Sequence, residues 1–95
     1  MKRSVWTPAA RNDLLQIDTY WLGVAERRAD AVLDRIYEAG RFLGEVPHAG
    51  GSIGGRTRKW TVRGTRYLLV YRVERDAVLS LRVRHQAENW REDAS

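Results

Sequence analysis

The sequence predicts an α+β domain in the order strand, helix, helix, strand, strand, strand. Three observations predict it. Apolar residues recur at threes and fours from Ala10 to Leu43, the spacing of amphipathic helices. From residue 58 onward they alternate at twos or run continuously, the spacing of strands. Two close turns, at 63–65 and 74–76, divide that second region into three runs, which makes an antiparallel meander.

Residues 2–6 read as a short first strand with Val5 and Trp6 as its apolar content. Thr7 can cap a helix with its hydroxyl, and Pro8 suits the first helical position, where its missing N–H costs nothing. Ala10, Leu14, Ile17 and Trp21 form one helical stripe, with Arg11, Asp13 and Asp18 mostly off it. Gly23 marks an end or bend. The second helix is expected over about 25–43, with Ala29, Val32, Leu33, Ile36, Ala39 and Leu43 on its buried face, Gly44 as stop and Pro47 beyond. A short connection makes the pair an antiparallel hairpin. Residues 45–55 hold Gly50, Gly51, Gly54 and Gly55 and read as a flexible connector. No Gly-Lys-Ser/Thr and no helix start follow, so they do not make a phosphate-binding P-loop. Strands are expected at 58–62, 66–73 and 77–84. The tail, 86–95, is polar apart from Ala87, Trp90 and Ala94.

Composition narrows the chemistry. At 95 residues, 43% hydrophobic and 31% charged, the chain has room for one core of two layers. No apolar run approaches the roughly 20 residues of a membrane span, and no membrane partner is expected. Lys2 and Arg3 are not followed by an apolar signal core, which points to a cytoplasmic protein. With no cysteine and only His48 and His85, neither a disulfide nor a metal site is expected, and no cofactor. Residues 1–50 are balanced in charge, so the whole net charge of +5 sits in residues 51–95. A basic half suits an anionic partner: nucleic acid, an enzyme working on it, or an acidic peptide.

Strand alternation sorts these charges. Ala77, Leu79, Leu81 and Val83 are expected on one face of the last strand, under the helices with Trp60, Val62, Tyr67, Leu69, Tyr71 and Val73. The opposite face then carries Lys59, Arg63, Arg82 and Arg84, with Arg66 and Arg72 at the ends of the middle strand and Leu68 and Val70 as an apolar strip between them. An apolar strip flanked by cations is suited to a partner. The alternative is that the tail folds over the strip and hides it.

The residues now carry a resemblance. The stretch Trp60-Thr61-Val62-Arg63-Gly64-Thr65-Arg66-Tyr67-Leu68-Leu69-Val70-Tyr71-Arg72-Val73, the ending Leu81-Arg82-Val83-Arg84-His85 with Trp90, and the opening Trp6-Thr7-Pro8-Ala9-Ala10 with Asp13-Leu14 resemble the RelE/ParE superfamily of type II toxins. The resemblance covers nearly the whole chain, and its strand-pair and strand-end wording looks more like the ParE branch. It implies a single toxin domain over 1–95, with the tail 86–95 flexible or a short helix. It also implies a hetero-oligomer with a cognate antitoxin, ParD-like or RelB-like, in a growth-inhibiting, plasmid-stabilising pair. ParE-like members act on DNA gyrase; RelE-like members cleave mRNA on the ribosome. An inactive binding module of the same fold is a third reading.

Metal-free RNA cleavage needs a base, an acid and cations around the phosphate. Lys59, Arg63, Arg82 and Arg84 could supply the cations and His85 the acid or base, since an unperturbed imidazole titrates near neutrality. Strand parity, however, puts His85 on the core side. His48, in the glycine loop, is a weaker candidate. The tail lacks the terminal Tyr or Lys that RelE-like enzymes typically keep. A binding toxin needs exposed aromatic and Arg anchors instead. The expected antitoxin or target contacts are Lys59, Arg63, Arg66, Leu68, Val70, Arg72, Arg82, Arg84, Trp90 and Arg91.

Overall fold

Two residues turn the first strand into a helix. Thr7 is extended, and its hydroxyl accepts the Ala10 amide at 3.2 Å; Pro8 takes the first helical position. The computed structural model, which describes residues 1–93, places β1 at Arg3–Trp6 and α1 at Pro8–Val24 on either side of this cap. The helix runs one residue beyond Gly23. Ala25 alone joins it to α2, Glu26–Glu45. The helix hairpin lays Leu14, Ile17, Ile36, Ala39 and Leu43 onto Leu69, Tyr71, Val78 and Val83 of the sheet and onto Val62 just beyond a strand end.

The sheet has five strands in the order β1-β5-β4-β3-β2, with β2 at Gly51–Gly54, β3 at Thr57–Thr61, β4 at Tyr67–Val73 and β5 at Ala77–His85. β1 returns parallel to β5, and the other pairs are antiparallel. The α+β reading therefore holds, with one addition. The connector at 45–55 contributes an edge strand, β2, that glycine content concealed. What fixes it is Tyr71, whose hydroxyl donates to the Pro47 carbonyl at 2.8 Å and accepts the Gly50 amide at 2.9 Å. Gly50 sits so close to β3 that a Cβ there would lie 2.2 Å from the Lys59 carbonyl oxygen.

Two expectations change. Alternation through β5 is broken by a bulge: Tyr71 pairs with Ser80 but Val70 with Arg82, so Leu81 is the extra residue. Val78 and Ser80 therefore face the helices together with Val83 and His85, whereas Leu79 and Ala77 share the open face with Arg72 and Val70. The bulge falls where β1 ends. There the Thr7 amide takes the Ser80 carbonyl at 3.1 Å and the Thr7 hydroxyl takes that of Leu81 at 2.9 Å. Nor does Gly44 stop α2, which continues to Glu45. A Cβ at Gly44 would lie 2.6 Å from the Lys2 carbonyl oxygen, so the glycine is there for close approach to the start of β1.

Candidate functional site

The sheet face away from the helices is built in rows. Lys59, Val70 and Arg82 lie across from one another on β3, β4 and β5; Thr61, Leu68 and Arg84 form the next row. The apolar strip is closed, with Leu68 2% and Val70 0% exposed. The tail crosses it. A 3-10 turn at Trp90–Asp93 sets the Trp90 ring 4.1 Å from Lys59 Nζ, and Asp93 clamps Arg84 with two bonds of 2.9 and 3.0 Å. Lys59 and Arg84 flank Val70 and Leu68, so a segment touching both spans the strip. The covering tail, not the open groove, is the arrangement found; residues 94 and 95 of that tail lie outside the described residues.

The cations of this face are largely engaged. Arg82 Nε and Nη2 each reach an Asp13 oxygen at 2.8 Å, and Asp13 also accepts the Val83 amide at 2.9 Å. Asp13 thereby satisfies the free edge of β5 beyond β1 and ties it to α1. Donating to Asp13 raises the pKa of Arg82, and donating to Asp93 does the same for Arg84, which also meets Glu88 at 3.4 Å. Arg72 pairs with Glu74 at 2.7 Å, and Arg56 joins the same carboxylate at 2.9 Å. Arg91 lies 4.4 Å from the Trp90 ring. Arg63 is elsewhere. It lines a 290 Å³ groove beside α2 with Arg35, Glu38, Phe42 and Trp60, so the expected gathering of Arg63 with Arg82 and Arg84 does not occur.

A larger cleft, about 890 Å³, opens between the hairpin tip and the β3–β4 turn. Trp21, Val32 and Tyr67 line it on the apolar side, Arg28, Arg35 and Arg66 carry its charge, and His85 closes one end. The Trp21 indole N–H donates to the Tyr67 hydroxyl at 3.1 Å, and the His85 ring meets Tyr67 edge-on. Arg35 is held over the turn by the Arg63 carbonyl at 3.3 Å, under Gly64 at φ +77°, where a Cβ would lie 2.7 Å from its guanidinium.

With this geometry in view, comparison with known proteins is decisive at the level of family. The family model "ParE toxin of type II toxin-antitoxin system, parDE" matches residues 5–90. The chain belongs to the ParE toxin family. Among solved structures, a chain of the chromosomal ParDE TA system from P. aeruginosa superposes with a TM-score of 0.79 at 22% identity. The match covers 90% of this chain and 96% of that one, a likeness of fold. No curated protein matches.

For the toxin, His85 matters as much for its hydrogen bonds as for its place. Its Nδ1 accepts the Ala87 amide at 3.1 Å, so the neutral ring carries its proton on Nε2. It lies on the helix side, across from Tyr67, as strand parity predicts, and it borders the cleft. Among the described residues no cluster of three or more His, Cys, Asp or Glu could hold a metal, and no helix is long and apolar enough to cross a membrane.

Sequence reasoning missed Asp13, Tyr20, Arg28 and Arg35. Asp13 had a signal: it stands three residues after Ala10 and four before Ile17, inside the buried stripe's spacing. Arg28 and Arg35, seven apart on α2, also share a face with Val32. Tyr20 is 57% exposed and off the stripe, and nothing in the spacing marks it.

Proposed function

We propose that this ParE-family toxin arrests growth by binding DNA gyrase and stalling it on DNA, in the cytoplasm, and that a cognate antitoxin, ParD-like in kind, neutralises it in a hetero-oligomer. Toxin and antitoxin would act as a plasmid-stabilising pair. The observation that carries the binding reading is the state of the would-be nuclease groups. Arg82 and Arg84 are each clamped by two hydrogen bonds to a carboxylate of the toxin itself. His85 presents a donor at Nε2; acting there as a base would require moving its proton to Nδ1 and breaking the Ala87 contact. With two of the four cations already paired to carboxylates, the set is poor at stabilising a phosphorane, whereas the pairing is no hindrance to protein recognition.

Partner contacts would then run over the tail-covered face and its borders. Arg91, exposed, and Trp90 and Lys59, half-buried, form the outer layer. Leu68, Val70, Arg82 and Arg84 set its shape from beneath, Arg72 bounds one end, and Arg63 and Arg66 extend it around the β3–β4 turn. An acidic, amphipathic antitoxin segment suits that surface.

Purified toxin added to a gyrase supercoiling reaction should accumulate cleaved plasmid, and the antitoxin should prevent it. In parallel, a translation extract read by primer extension should show intact message. Codon-positioned breaks in mRNA with gyrase untouched would replace this reading with ribosome-dependent cleavage. His85→Ala sharpens the comparison, since a nuclease using it loses orders of magnitude in rate, whereas a gyrase poison keeps its activity apart from any loss of stability.

A further inference from the structure

The tip cleft is not absorbed by the tail-covered face, and its chemistry is one-sided. Its lining contains no Asp or Glu, and its titratable groups are three arginines, two tyrosines and His85. Among the described residues Arg28, Arg35 and Arg66 form no ion pair, in contrast to Arg72, Arg82 and Arg84 on the sheet. Two further groups of the lining have a hydrogen to donate: His85 at Nε2, by the tautomer its Ala87 contact imposes, and the Tyr67 hydroxyl, whose oxygen accepts from Trp21. A cleft with surplus donors and unneutralised cations selects an anion.

The walls say what the anion is attached to. Tyr20 and Trp21 meet edge to face at 5.4 Å, and Tyr67 and His85 meet similarly at 5.6 Å. Flat rings beside guanidinium planes are the arrangement that holds an unstacked base with its phosphates. A carboxylate-bearing peptide would satisfy the arginines and leave the rings without a partner of matching shape. The volume of about 890 Å³ lies within the range of small-ligand sites, so one or two nucleotides fit and a duplex does not.

We infer that the cleft bounded by Tyr20, Trp21, Tyr67 and His85, with Arg28, Arg35 and Arg66, binds unpaired nucleotides of a nucleic-acid strand. The site lies beyond the tail-covered face, sharing only Arg66 with its border, and does not depend on which enzyme the toxin attacks. On gyrase, it would engage a strand that the enzyme has opened.

Binding is measured on the full-length toxin alone by fluorescence anisotropy with labelled dT12, rU12, a 12-bp duplex and a poly-glutamate peptide. Single strands should bind more tightly than the duplex, and the dT12-to-rU12 ratio tells whether DNA or RNA is preferred. Tyr20→Ala should weaken single-strand binding roughly tenfold. Arg66→Gln should weaken it and lower the salt slope by about one. Both residues are exposed, and unchanged urea midpoints confirm folding. Arg41→Gln, an exposed arginine outside the cleft, should leave binding unchanged. If Arg41→Gln weakens binding as much as Arg66→Gln, the attraction is diffuse and the site is overturned. Preference for poly-glutamate, or full binding by Tyr20→Ala, overturns it equally. Because gyrase is absent, failure here and failure of gyrase poisoning are separate results.

Discussion

At the scale of single residues, Asp13 and Tyr71 show how buried polar groups fix what packing alone leaves loose. Asp13 is 7% exposed, and the three hydrogen bonds it accepts all come from β5. Asp13→Asn keeps the shape but loses the charge and places a donor against donors. A loss of roughly 1–3 kcal/mol is expected in urea unfolding, with hydrogen exchange faster at the Val83 amide than in β4. Tyr71 is fully buried, and burial raises its pKa above 10.0 despite the opposing Gly50 amide and nearby Arg58. A raised phenol favours the neutral, folded form. That contribution is intact below the unfolded value of about 10 and is lost as pH climbs through the folded one. Thermal unfolding should therefore show stability falling from about pH 10 upward. Tyr71→Phe should be less stable at neutral pH, by about 1–3 kcal/mol for the Pro47 and Gly50 groups left unpaired, and flatter above pH 10.

At the scale of elements, glycine separates what the sequence discloses from what it hides. Gly23 and Gly44 look alike in the sequence, each near the end of an amphipathic run. A Cβ at Gly23 would meet nothing within 4 Å, whereas one at Gly44 would lie 2.6 Å from the Lys2 carbonyl oxygen. Gly23→Ala should stabilise by about 0.5–1 kcal/mol through helix propensity. Gly44→Ala should lower the melting temperature and unseat β1, with loss of protection at the Lys2 amide, which donates to the Gly44 carbonyl at 2.9 Å. Helices and central strands were legible because periodicity is written in every third or second residue. β2 was not, because a strand of Gly51, Ser52, Ile53 and Gly54 has almost no side-chain pattern, and its place is set by a tyrosine about twenty residues later. The bulge at Leu81 was not legible either. It answers to Thr7 across a parallel pairing that no local spacing reveals. Of the candidate site, the cations could be read as types but not as free or engaged, since their carboxylates, Asp13, Glu74 and Asp93, come from three different elements.

At the scale of the whole molecule, the question is what the tail does for the sheet. The helices protect one face of the sheet, and the other would leave Leu68, Val70 and their neighbours to water. The turn at Trp90–Asp93 lies across this face, with its ring over Lys59 and two charge-assisted bonds from Arg84 to Asp93. Arg84 and Asp93 side chains are only 22% and 15% exposed, so added salt should screen this clamp weakly. A chain ended after Asn89 loses the ring over Lys59 and leaves Arg84 with Glu88 alone. It should unfold with about 2 kcal/mol less stability, bind the dye ANS where the intact toxin does not, and tend to self-associate through the bared strip. Asp93→Asn, which keeps the ring and weakens only the clamp, should fall between the two in dye binding. If both variants match the intact toxin in dye binding and unfolding, then Leu68 and Val70 are sealed by neighbouring strands alone and the tail is only an adornment of the face. If they differ in the order given, the tail is the toxin's own cover over the surface that Lys59 and Arg84 frame, and a partner using that face must either displace it or bind on top of Trp90.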